Sequence, residues 1–167
     1  MLDDTEMSPH APPPAIGNAR VLAHADVEDI PYRKSGALYV GDDLVEKVPR
    51  LAIAVSLGED LGTLLFHCDA DWNVLGTSGA SNLEETKQLA ARNYPGVESR
   101  WVETGITHDE ALQYYDQNCG APRCSFCRRR AFETSAMIGT EGAAICRECV
   151  VEFFQELQRP GGDDGVV

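Results

Sequence analysis

Four cysteines in two Cys-x-x-Cys pairs, Cys124/Cys127 and Cys146/Cys149, constrain this chain more than any other feature. They frame 18 residues in the stretch CSFCRRRAFETSAMIGTEGAAICREC. Two such pairs suit tetrahedral zinc, because each pair bites one edge of the tetrahedron and the separation lets two local elements close around the ion. Four thiolate ligands leave no coordination position for water, so the expected Zn2+ is a single structural ion that replaces the core about 40 residues cannot build. Two redox dithiols or an iron–sulfur site are the competing readings. A second redox dithiol would be superfluous, and the spacing matches neither common ferredoxin pattern.

The residues around the second pair define its local structure. In CRECVVEFFQELQRPGG, Val150, Phe153, Phe154 and Leu157 recur at i, i+3, i+4 and i+7, and Pro160-Gly161-Gly162 ends the run. Cys146 and Cys149 then fall at a helix N-terminus, where the dipole and free N–H groups stabilise thiolates. A hairpin through AMIGTEGAAI, turning at Gly139 to Gly142, completes a knuckle, hairpin and helix of treble-clef-like form.

With CSFC, then ICRECV and an amphipathic helix, residues 122–158 resemble the N-terminal C4 zinc-binding domain of the ClpX family, the unfoldase subunits of the ClpXP protease. The resemblance implies that Cys124, Cys127, Cys146 and Cys149 bind zinc. It also implies a module that dimerises and captures substrates and adaptor proteins. The family places this domain before an ATPase module with a Walker A loop, and this chain carries no such loop. The unfoldase activity is therefore not expected. Arg128, Arg129 and Arg130 form a basic run, read first as a solvated edge of the knuckle, and Cys119 reads as a local thiol before a spare ligand.

Charge separates this module from the rest. The chain has 14 basic and 27 acidic residues, a formal net charge of −13. Residues 1–118 hold 8 basic and 20 acidic ones, whereas residues 119–160 hold 6 and 5. The imbalance argues against general nucleic-acid binding, which needs a basic surface. Residues 1–18, Pro-rich and acidic, read as a disordered leader, 19–118 as an acidic α+β domain, 119–160 as the finger and 161–167 as a disordered tail. The N-terminus has acids where a secretory signal needs positive charge, and no run of about 18 apolar residues is present. A cytoplasmic protein is expected, with its six cysteines as thiols or ligands and not disulfides.

Within the acidic block, RLAIAVSL (50–57), TLLFHCD (63–69) and NVLGTS (73–78) read as an antiparallel meander, with ARVLAHA and GALYV as possible additions before it. Ser81 with Glu84 forms a capping box ahead of a helix over 82–93, VESRWVET returns as a strand with Trp101 in the core, and Thr107 with Glu110 caps a second helix. The fold class is α+β: a small antiparallel sheet with two helices, followed by the C4 finger.

No catalytic residue is assigned. GTSG (76–79) falls one residue short of a nucleophile elbow, and turn chemistry before the helix accounts for its glycines. His67 and Cys68 are adjacent on a strand and point to opposite faces. Asp69 and Asp71 suit a hairpin turn. The remaining titratable candidates, His24 and His108, are scattered. The leading expectation is a non-enzymatic, bacterial interaction or adaptor protein whose finger homodimerises or docks a protein partner, a Clp protease component or substrate, or a basic protein matched to the acidic domain. A small enzyme with its site in the α+β domain is the alternative.

Overall fold

The computed structural model describes residues 11–34, 38–40, 43–45, 47–58, 62–120, 122–140 and 142–159. Residues 1–10 of the expected leader and the expected tail 161–167 lie outside the described residues, as do parts of GALYV and of the finger's hairpin turn. The chain divides into two compact units, Met1–Asn118 and Cys119–Val167.

The first unit is built on one antiparallel sheet. Its strands are β1 (Ala15–Ile16), β2 (Ala19–Asp26), β5 (Arg50–Ser56), β6 (Thr63–Cys68), β7 (Val74–Ala80) and β8 (Val102–Glu103). They run in the order β1-β2-β5-β6-β7, and β8 shares with β1 the outer edge of β2. A separate hairpin joins β3 (Leu38–Val40) to β4 (Asp43–Val45). The expected meander is thus β5-β6-β7, and ARVLAHA supplies an interior strand of the sheet. Ala15–Ile16, within the stretch read as leader, form β1, and Ala15 is buried.

Helix α1 (Leu83–Asn93) packs over β5 to β7, and α2 (His108–Asn118) packs on β1 and β2. The cap of α1 is Asn82 and not Ser81. Asn82 Oδ1 accepts the Glu85 N–H at 2.9 Å, while Glu85 Oε2 accepts the Ser81 N–H at 3.3 Å. The box at α2 forms as read, with Thr107 Oγ1 accepting from the Glu110 N–H and Glu110 Oε2 from the Thr107 N–H. VESRWVET is mostly not a strand. Residues Val97–Ser99 make a 3-10 turn that follows Gly96, and only Val102–Glu103 pair. Trp101 is partly buried against the core, as expected.

Both faces of the sheet are covered. One carries Ala25, Val27, Leu51, Ile53 and Leu65 under Ala90 and Tyr94 of α1 and its C-cap, with Tyr94 Oη accepting the Val48 N–H at 3.0 Å. Burying each large apolar side chain here contributes about 1.5–3 kcal/mol. The other face carries Ala19, Val21, Ala52, Ala54, Phe66 and Cys68 under Trp72.

A bulge in β2 reassigns residues between these faces. Val21 pairs with Ala54, but Ala23 pairs with Ile53, so one extra residue at Leu22 puts two positions that would share a face on opposite ones. His24 and Asp26 thereby join the Trp72 face, opposite Ala52 and Arg50. The carbonyls displaced from the ladder are taken up by Thr104, whose Oγ1 donates to Val21 at 2.7 Å and whose N–H donates to Leu22 at 3.0 Å.

The second unit is a small hairpin and one helix: β9 (Met137–Thr140) pairs with β10 (Ala143–Cys146), and α3 (Arg147–Leu157) follows directly. Gly142, at φ +92, occupies the left-handed turn position that side chains resist. No described helix is long and apolar enough to cross a membrane.

Candidate metal centre

Local backbone geometry brings the four cysteines together. The first pair sits in a tight turn in which the Arg128 N–H donates to the Cys124 carbonyl at 3.0 Å and the Cys124 N–H to that of Arg129 at 2.9 Å. Arg128 takes a φ of +64 to leave this knuckle. Cys146 ends β10 and is the N-cap of α3, and Cys149 lies in the helix's first turn. Ser125, between the first two cysteines, ties knuckle to hairpin. Its N–H donates to the Ala144 carbonyl at 2.7 Å, and its Oγ accepts the Ala144 N–H at 3.2 Å.

The four sulfurs all lie within 4.8 Å of one another. Across the knuckles, Cys124 Sγ is 3.8 Å from Cys149 Sγ and Cys127 Sγ is 3.6 Å from Cys146 Sγ. A zinc tetrahedron with bonds of about 2.3 Å has sulfur–sulfur edges of about 3.8 Å, so the donor set fits that ion in number, chemistry and spacing. Cys124, Cys146 and Cys149 are buried and Cys127 is partly so, with Met137 and Ile145 packed against them. Cys119 is exposed and stands outside the cluster.

Electrostatics call for a cation. Burial raises the Cys124 thiol, but the backbone N–H groups of Cys127, Cys146 and Phe126 outweigh it and bring it down to about 6. Cys149 is instead pushed up to about 12, by burial first and then by the neighbouring sulfurs. One thiolate forms easily and makes the others harder to form; a divalent ion at the centre removes that conflict.

Two supports were not foreseen. Glu148, within the second knuckle, accepts the N–H of Ser135 at 3.0 Å and its hydroxyl at 2.8 Å with one carboxylate oxygen. The bond from the Ser135 backbone is the main cause that holds Glu148 down at about 2. Arg130 is more than a solvated edge, since its N–H and guanidinium both bond Glu133, at 2.6 and 2.8 Å. A helix residue bonded 13 positions upstream leaves no local sequence signal. Arg130-x-x-Glu133 did have the spacing of a box, with an unusual first residue.

The other titratable candidates do not converge. Cys68 belongs to the Trp72 face and is pushed up to about 12, by burial first and by Asp69 second. His67 Nε2 lies 3.4 Å from Ser78 Oγ, and burial lowers the imidazole. Ser78 is part of β7, so GTSG is strand and not turn. Gly79 is needed there because a Cβ would stand 2.5 Å from the Thr63 carbonyl oxygen. Asp69 accepts the N–H groups of Asp71 and Asn73 at 2.8 and 2.9 Å, the expected turn. His108 opens α2.

Residues 122–158 match the family model of the ClpX C4-type zinc finger. The C-terminal unit is thus a zinc-binding finger of the ClpX type. A search of curated proteins finds no match, and neither does a search of solved structures.

Proposed function

We propose that the chain is a non-enzymatic interaction protein whose finger, held by one structural Zn2+, docks protein through the apolar face of α3, in the first instance a second copy of itself. One observation carries this reading. Phe126, projecting from the first knuckle at 60% exposure, stacks edge-to-face on Phe153 with ring centroids 4.9 Å apart. Phe154 and Leu157 extend the patch at 58% and 86% exposure. Four large apolar side chains on so small a unit are what a partner surface provides for. ClpX-type fingers are associated with protein interaction, which supports the same use.

A Clp protease component, one of its substrates, or a basic protein matched to the acidic unit are the further partners this reading admits. The assignment as a non-enzyme rests on the closed ligand set, which offers water no position, and on Cys68, held in its unreactive protonated form. Cytoplasmic residence is part of the same reading, because a chain with six cysteines, four of them grouped for a metal, suits a reducing compartment. The test is the mass of the zinc-loaded chain by light scattering, against Phe153→Glu and Phe126→Glu variants. A dimer that both variants split supports the proposal; a wild-type monomer at high concentration removes self-association and leaves only a different protein as occupant.

A further inference from the structure

A cavity of about 180 Å³ on the Trp72 face of the first unit has a wall of mixed charge. Its lining is His24, Asp26, Arg50, Trp72, Arg100 and Val102. At about 30 Å³ per water, it has the volume of about six, enough for a small organic molecule. Two of the eight basic residues of the acidic block meet here, together with one carboxylate.

Each wall residue is held in place by a separate device. The bulge at Leu22 puts His24 and Asp26 on this face, and Asp26 lies opposite Arg50 in the ladder. The Arg50 guanidinium stands 5.1 Å over the Trp72 ring and donates to the Ala70 carbonyl. Arg100 is fixed by Asp29 at 2.8 Å. The His24 ring meets Trp72 edge-on at 5.6 Å, and burial, with Arg50 second, keeps its imidazole neutral at ordinary pH.

Trp72 closes the turn between β6 and β7, where its N–H donates to the Asp69 carbonyl at 3.3 Å, and it covers the second core, but at two costs. Its φ of +65 is a conformation a bulky residue rarely adopts. Its indole N–H, in a side chain only 8% exposed, has no hydrogen-bond partner among the described residues. The backbone strain belongs to the turn, but an unpaired donor at the wall of a mixed-charge cavity is what a ligand site retains.

We infer that this cavity binds a small zwitterion of the free α-amino acid class, its carboxylate between Arg50 and Arg100, its ammonium at Asp26 and its side chain against Trp72 and Val102. A plain anion would meet Asp26, and a plain amine would meet both guanidinium groups. Only a ligand of both signs adds a partner on each side of the wall, beyond the Asp29 that pairs with Arg100 and the Glu28 N–H that donates to Asp26 at 3.1 Å.

The test uses the full zinc-loaded chain, 15N-labelled, with its two tryptophans giving two indole N–H peaks, assigned by a Trp101→Phe variant. The protein α-amino acids are titrated singly to about 10 mM, well above a Kd a small site of this kind would show. At least one is expected to move the Trp72 peak, with its N-acetyl and methyl ester forms each binding about tenfold or more weaker. Asp26→Asn, an exposed and conservative change, should abolish the penalty on the N-acetyl form alone. A Trp72 peak that no amino acid moves would overturn the proposal. So would a blocked form that binds as well as its parent, which would make the site one for a plain carboxylate or a plain amine.

Discussion

Glu148 Oε1 accepts two hydrogen bonds from Ser135, thirteen residues upstream, and so fastens the approach to the hairpin onto the first turn of α3 between two ligand cysteines. Glu148→Gln keeps the size of the side chain and weakens both bonds. We expect about tenfold faster loss of zinc to a chromogenic chelator, the usual scale for groups that hold metal ligands in place. Ser135→Ala should do less, because its backbone N–H still donates.

Each knuckle contributes to both cross-knuckle edges, so no ligand is dispensable. Cys124→Ser or Cys149→Ser should reduce bound zinc from one ion per chain to a small fraction, read by atomic absorption after gel filtration. Undiminished zinc in either variant would sink the ligand assignment.

Removal of the ion should unfold one unit and spare the other. Structural zinc supplies apparent folding free energies of about 10–16 kcal/mol at neutral pH in small fingers. A strong chelator should therefore collapse the amide peaks of residues beyond Cys119 and leave those of the sheet unchanged. Loss of both sets would mean that the sheet depends on the finger.

Arg128 is strained at φ +64. Left-handed backbone costs a side chain about 1–2 kcal/mol, and glycine returns part of that gain as lost chain entropy. Arg128→Gly should stabilise the finger by about 0.5–1 kcal/mol net, visible as slower zinc release. A destabilised variant would assign the Arg128 side chain a contact worth more than the strain.

Burial lowers the His67 imidazole in the folded state. The unfolded chain then takes up a proton at a higher pH than the folded one, near 6.5. The stability owed to neutral His67 is complete above that value and is lost as pH falls through the folded value. Urea midpoints of the first unit should fall between about pH 7 and about pH 5, and His67→Gln should flatten part of that slope. An unchanged slope would assign it to other groups, such as His24, which burial also lowers.

What was legible in the sequence was local. The two Cys-x-x-Cys pairs, the periodicity from Val150 to Leu157 and the box at Thr107 and Glu110 all act within a few residues, and each has the place its spacing implied. Ambiguity began where two patterns overlapped: SNLEE offers Ser81 with Glu84 and Asn82 with Glu85, and the structure takes the second. The long-range features left no periodic trace. The pairing of β8 with β2, the clamp of Glu148 on Ser135 and the wall around Trp72 join residues 13 to 80 positions apart. Gly76 to Gly79 misled because glycine marks turns more often than a strand that needs close backbone approach.

The bulge at Leu22 makes the first unit's surface chemistry hostage to the pairing at one point. Drawing Leu22 into the ladder beside Val21 would turn His24 and Asp26 toward α1 and expel Ala23 and Ala25 to the other side, whereas deleting it would leave all four where they are. A lineage could lengthen or shorten the turns around this sheet freely, but here a slip of one residue would trade a charged wall for a greasy one.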